Sequence, residues 1–230
     1  MKGLAILFLV AAMIVCIFDL PQAAMVDFEN TGLMEGEMLT NEITGLTFIN
    51  AMIAEEGRPR VAFQGQNGWG LNDRTRAGQD FGGFFITDPL VDGQSNVPGT
   101  IVIIFDNPAR EISFRVADID NYAASRPDTF TVNAYDGSSI LVETLSITVG
   151  DQGYQTGDGI ATLVELSTTG ISRMELSLIN TLGTSGWGVD NLSYNVVPVP
   201  VPVVLFGSGL IFLFGVRKRH KLKYRRTFGW

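Results

Sequence analysis

The sequence predicts an all-β domain, a β-sandwich or jelly roll, flanked by an N-terminal signal peptide and a C-terminal transmembrane helix. Three observations predict it. Residues 25–195 carry short runs rich in Thr, Val, Ile and Phe between turn residues, and no apolar pattern of helical period reaches helical length there. Two uncharged apolar stretches bracket that middle, one near each end of the 230 residues. Charge is also unevenly placed: between Met25 and Val196 stand 23 acidic residues, eight arginines and no lysine, whereas the final 14 residues hold seven Lys or Arg and no acid.

The N-terminal element is Leu4 to Phe18, preceded by Lys2 and broken by Asp19 and Pro21. A charged start, a short apolar run and a polar exit are the parts of a secretory signal. The run is shorter than the roughly 20 apolar residues a membrane span needs. Cleavage is expected after Ala24, giving a signal peptide over 1–24. Cys16 follows Val15, where a lipoprotein signal would need a small residue, so it reads as apolar filler. Without it the mature chain has no cysteine and is no disulfide scaffold.

The β domain, 25–195, is long enough for one well-buried core. Thr100 to Phe105 is a continuous apolar run of strand length, followed by an expected turn at Asp106-Asn107-Pro108. Glu111 to Val116 alternates with period two, Ile112, Phe114 and Val116 on one face. Further strands are expected over Thr129–Tyr135, Ile140–Val149, Ala161–Leu166, Arg173–Ile179 and Val189–Tyr194. Turn chemistry at Asp136-Gly137, Gly157-Asp158-Gly159 and Gly183 to Gly186 separates them. Short strands at this spacing predict a sandwich or jelly roll. Residues 50–96 are less periodic, and long loops with one or two strands are expected there. The acidic balance excludes nucleic acid as a partner, because little in the domain would displace counterions from phosphates.

From Val196 to Val216 no residue is charged. A fully helical run of 21 residues would reach about 31 Å, near the thickness of a bilayer's hydrocarbon core. Pro198, Pro200 and Pro202 make its first part extended, so the helix is expected over Pro202–Val216. The cations that follow, Arg217, Lys218 and Arg219 first among them, read as a stop-transfer signal that leaves the tail cytoplasmic and the acidic domain outside.

These residues resemble the PEP-CTERM sorting signal of Gram-negative bacteria. The resemblance rests on Val197-Pro198-Val199-Pro200, then Leu205-Phe206-Gly207-Ser208-Gly209-Leu210, then Gly215-Val216 and the basic cluster. It covers about 25 residues, and order, spacing and terminal position all agree. Val199 stands where the family usually has Glu, and the tail runs on to Phe228 and Trp230. The resemblance implies 196–220 as the sorting signal with its membrane helix and 221–230 as a basic tail. It implies processing by an exosortase near Pro198 to Pro200, and delivery to the cell surface or an exopolysaccharide matrix. The opening Val26-Asp27-Phe28-Glu29 and the closing Gly186 to Tyr194 are similar to β-sandwich domains that precede this signal. That second likeness implies a structural calcium clamped by Glu29 and Asp190, with Asp27 nearby.

Chemistry is sparse. The one histidine, His220, lies in the basic tail, so Cys-His, Ser-His-Asp and Cys/His zinc arrangements are excluded from the domain. Asp118 and Asp120, two apart, would share a strand face with Cα atoms about 7 Å apart. Carboxylate pairs can cleave glycosidic bonds, but oxygen donors near a loop suit calcium better, since it takes six to eight such ligands. Gly68-Trp69-Gly70 echoes Gly186-Trp187-Gly188, and glycines flanking a tryptophan can leave its ring open to stack on a sugar; capping a sandwich edge is the alternative. Three function classes follow in order: a non-catalytic surface or biofilm-matrix protein, a carbohydrate-binding module using Trp69 or Trp187, and a polysaccharide hydrolase working through carboxylates alone.

Overall fold

The computed structural model describes residues 23–55, 75–87, 100–117, 119, 127–157, 159–179 and 187–197. Among these residues there are eleven strands and no helix: β1 (Ala23–Val26), β2 (Met38–Leu39), β3 (Leu46–Ile49), β4 (Ala51–Glu55), β5 (Phe84–Thr87), β6 (Thr100–Ala117), β7 (Thr129–Tyr135), β8 (Leu141–Thr148), β9 (Ala161–Leu166), β10 (Ile171–Ile179) and β11 (Gly188–Val196). Every pairing is antiparallel. Of the expected signal peptide only Ala23 and Ala24, and of the sorting motif only Val197, are among the described residues; the apolar run after the motif and the basic cluster lie outside them. Among the described residues no helix is long and apolar enough to cross a membrane.

The expected break at Asp106-Asn107-Pro108 is instead a bend inside one strand. β6 runs unbroken for 18 residues and belongs to both halves of the sheet system. Its first half pairs with β3 and β10, and β10 leads on to β7 and β8. Its second half pairs with β9 and β11, and β11 leads on to β5, β4 and β2, with β1 also on its edge. Side-chain parity records the bend. Ile101, Ile103 and Phe105 are buried before it; Ile112, Phe114 and Val116 are buried after it. Alternation alone would turn the even-numbered set outward. The stretch 106–111, with Glu111 at φ 51°, absorbs the change of face.

Proline and turn residues signal a chain reversal because they interrupt a ladder. Here the bend's backbone groups find partners from elsewhere in the fold. Asp106 N–H donates to Gly45 O (3.0 Å), Val197 N–H to Pro108 O (2.7 Å) and Gly170 N–H to Ala109 O (2.9 Å). Gly45 is at φ 88°, and a Cβ there would stand 3.3 Å from the Tyr194 hydroxyl. Gly45→Ala is therefore expected to lower unfolding free energy by about 2 kcal/mol, read by urea denaturation; an unchanged midpoint would remove Gly45 from the support of the bend.

The two halves enclose one core. Phe130 of β7 meets Phe114 of β6 edge-on at 6.3 Å and Trp187 at 5.6 Å, so the rings tie one half to the other. β1 pairs antiparallel with β11, Ala23 opposite Asn195, so the first and last described strands meet at one end of the domain. β1 begins at Ala23, two residues before the expected start of the mature domain.

Candidate functional site

At the other end of β11, about six strand residues or ~20 Å from Val196, Asp190 occupies an unusual place. Val189 packs in the core, so its neighbour Asp190 faces the opposite side of the sheet. That outward face ought to be wet, yet Asp190 is 0% exposed. The cover is residues 75–83, which cross the face as a strap. Its floor is a second small apolar cluster, Phe85 with Ala117, on which Phe81 lies, its ring 5.6 Å from that of Phe85.

Polar groups pin the strap along its length. Arg76 N–H donates to Gly159 O (2.7 Å), and Ala161 N–H donates to Gln79 Oε1 (3.0 Å). Asn191 Nδ2 donates to both the main-chain oxygen and Oδ1 of Asp80, each at 3.2 Å. Arg115, opposite Asp190 in the register, lies 3.7 Å from Asp80 Oδ2. At the inner end Gly82 N–H donates to Asp190 Oδ2 (2.5 Å), and Phe84 N–H to Glu29 Oε1 (2.8 Å).

Local backbone places the two carboxylates. The register of β11 against β6 shifts between Asp190 and Ser193, and Asn191 stands in the left-handed region at φ 53°. Asn tolerates that region better than most residues. Phe28 is also left-handed, at φ 44°. Its ring is buried edge-on to Phe48 at 6.3 Å, which holds the turn and carries Glu29 towards the strap. Gly82 lies between the carboxylates: a Cβ there would fall inside van der Waals contact of Glu29 Oε1 and 3.0 Å from Asp190 Oδ2.

The electrostatics are unfavourable. Burial pushes the Asp190 carboxyl up to about 6; the N–H groups of Gly82 and Asn191 pull it down, and the negative charges of Glu29 and Asp27 push it up again. Asp190 Oδ1 is buried with no hydrogen-bond partner, and a buried oxygen left so carries a penalty of about 1–3 kcal/mol or more.

Calcium is what the family resemblance implies for Glu29 and Asp190, and two observations fit it. One is the orphaned Oδ1, a hard oxygen of the type calcium takes. The other is the convergence of the carboxylates at Gly82, where the missing side chain lets Glu29 Oε1 and Asp190 Oδ2 approach the same point. Among the described residues no three Asp, Glu, His or Cys side chains form a metal-binding group, so the rest of the ion's shell would be main-chain oxygen and water. Bound there, the ion would supply the positive charge that lets the two carboxylates stand ionised side by side.

The expectations for other residues divide. Glu29 and Asp190, far apart in sequence, are brought together. Asp118, Asp120 and Trp69 lie outside the described residues. Trp187 is corrected: it is 1% exposed and packed against Phe130, so its ring cannot stack on a sugar. Its glycine neighbours suggested exposure, but the ring belongs to the core that joins the two halves. Sequence reasoning missed the strap. The Gly82-Gly83 pair between Phe81 and Phe84-Phe85 was its available mark, since paired glycines often sit where backbone approaches closely.

No family model matches the chain, and no curated protein is significantly similar to it in sequence. Solved structures do align with it. One is a DUF4465 family protein from Bacteroides caccae, at 13% identity over 75% of this chain and 98% of that one, TM-score 0.47. Another is the K1 cleaved adhesin domain of Lys-gingipain from Porphyromonas gingivalis, at 14% identity over 75% and 97%, TM-score 0.40. A third is the CBM22-1 xylan-binding domain from Paenibacillus barcinonensis, at 16% identity over 78% and 97%, TM-score 0.36. At such values neither ligand nor activity passes from those proteins to this chain.

Proposed function

We infer that the protein is a non-catalytic exported surface or matrix protein, delivered by its C-terminal sorting signal and processed there by an exosortase. The observation that carries this reading is the order of parts along the chain. An acidic, lysine-free β domain is followed at once by Val197-Pro198-Val199-Pro200, an uncharged run and a basic cluster. The fold is compatible with that order. β11 ends at Val196, beside the start of β1, so cutting near Pro198 to Pro200 would leave every described strand intact. A domain that loses nothing on cleavage suits a substrate that is cut and transferred. The burial of Trp187 weakens the sugar-stacking alternative by removing one of its two aromatic candidates.

The test is mass spectrometry of the protein's C-terminus from a host with an exosortase and from the same host lacking it. The expected result is a C-terminus near Pro198 to Pro200 only where the enzyme is present. A C-terminus at Trp230 in both hosts would reduce the signal to a plain membrane anchor.

A further inference from the structure

We propose that β8 is an open sheet edge on which a second copy of this chain docks, the two β8 strands pairing antiparallel about a two-fold axis so that one sheet runs through both domains. Nothing in this depends on the sorting signal.

β8 ends the strand order, and among the described residues only β7 pairs with it. A free edge presents a row of backbone donors and acceptors to any strand that can lie beside it. The other described edges are short or blunted. β2 has two residues, and β1 and β3 have four each, β3 running straight into Asn50 at φ 56°. β9 carries the exposed Glu165. β8 has eight residues and neither lysine nor proline among them. The one irregularity of its ladder lies at the Val142 end, which leaves Glu143–Thr148 as a regular run.

This edge is already ordered. Asp136 Oδ1 accepts the N–H groups of Ser138 (2.8 Å) and Ile140 (2.9 Å), which fixes the hairpin. Thr148, Ser146 and Thr144 are tied across to Thr129, Thr131 and Asn133 of β7 at 3.1, 3.3 and 3.0 Å. A strand held in this way loses little freedom when a partner arrives.

Charge selects the occupant. Between Met25 and Val196 stand 23 acidic residues and eight arginines, so a second copy is repelled by most of the surface. From Gly137 to Gly150 the only charged residue is Glu143. Its carboxylate is taken up by the N–H groups of Ser167 (3.2 Å) and Thr168 (2.9 Å), in the turn between β9 and β10. A like-charged copy can therefore approach along β8, where a basic partner would find nothing to pair with. The apolar side chains obey the same symmetry. Ile140, Leu141 and Val142 are exposed at one end of the strand. Antiparallel pairing about a two-fold axis lays that end beside Thr148 and Val149 of the other copy, so both apolar ends are covered at once.

The test uses full-length protein in detergent micelles, with Cys16→Ser removing the native thiol and one cysteine introduced at a time. Thr144→Cys, Leu145→Cys and Ser146→Cys bracket the middle of β8, Leu141→Cys and Thr148→Cys mark its ends, and Glu165→Cys sits on the β9 edge. Residues facing each other across an antiparallel ladder have Cα atoms about 5 Å apart, within disulfide reach. Residues at the ends of β8 would stand about 13 Å or more from their copies. Mild oxidation should therefore yield a disulfide dimer at one or more of the three middle positions about tenfold faster than at Leu141, Thr148 or Glu165. Adding Thr144→Lys to Ser146→Cys sets like charges close to the axis and should slow that dimer about tenfold, with the thermal unfolding midpoint unchanged; adding Glu165→Lys should not. A cysteine variant with a lowered midpoint is set aside, and the remaining middle positions decide. No dimer at any middle position, equal rates at middle, end and β9 positions, or a dimer indifferent to Thr144→Lys would each overturn the proposal. In intact host cells the same cysteine should give a product of twice the mature chain's mass. A product of any other mass would mean that a different protein occupies the edge, and would overturn it too.

Discussion

Replacing Trp187 with alanine should lower the free energy of unfolding by about 4 kcal/mol, the largest single-residue effect expected in this protein. The ring heads the large side chains that are fully buried, and it sits at 5.6 Å from Phe130, which in turn meets Phe114 at 6.3 Å. Removing it opens a cavity where β7 meets the second half of β6, and a cavity between two sheet halves cannot collapse without moving both. Just before β11, the Trp187 carbonyl accepts the Thr87 hydroxyl at 2.6 Å, a main-chain contact that alanine can keep, so the loss comes from the ring. The measurement is chemical denaturation monitored by circular dichroism. A loss below about 1 kcal/mol would mean that the ring is peripheral and would reopen a surface role for it.

The second large effect is a pH dependence that runs against the usual acid sensitivity of proteins. In chelator, the carboxyl of Asp190 has its native value raised from 3.8 to about 6. The folded state therefore binds this proton more tightly than the unfolded chain does. Above pH 6 the folded state holds an ionised carboxylate against burial, and stability is reduced in full. As pH falls from about 6 towards 4 the folded state takes up the proton first, and about 2 kcal/mol is regained. Glu42 and Glu143 have lowered values, so their contribution is present above the ordinary carboxylate range and is lost as pH falls below it. Their effect opposes that of Asp190 and belongs to a more acidic window. Subtracting the profile of Asp190→Asn isolates the group. A difference profile that is flat between pH 4 and pH 7 would show that Asp190 titrates normally and is not buried as described.

Much of the fold was legible because strands with one buried face write their geometry into the sequence every second residue. The boundaries of β7 and β9 match the expected ones, and those of β8, β10 and β11 differ by one or two residues. The error at Asp106-Asn107-Pro108 has a clear source. Local turn chemistry states that a ladder is interrupted; it does not state whether distant groups will take up the freed carbonyls. Gly170 and Val197 do so at the bend, while Gly45 O receives the Asp106 N–H, and none of the three is near in sequence.

The candidate site divides along the same line. By its own composition and order the sequence determined an all-β body between two apolar ends, the sign of its charge, the absence of histidine and lysine from that body, and the motif that resembles a sorting signal. Those are properties of residue type and spacing, which need no third dimension. Only the tertiary structure decided which carboxylates meet, that Trp187 is core, and that Asp190 lies buried on the outward face of its own strand. Burial there is made by the strap of residues 75–83, some 110 positions away, and no alternation along β11 can announce a cover supplied by another part of the chain.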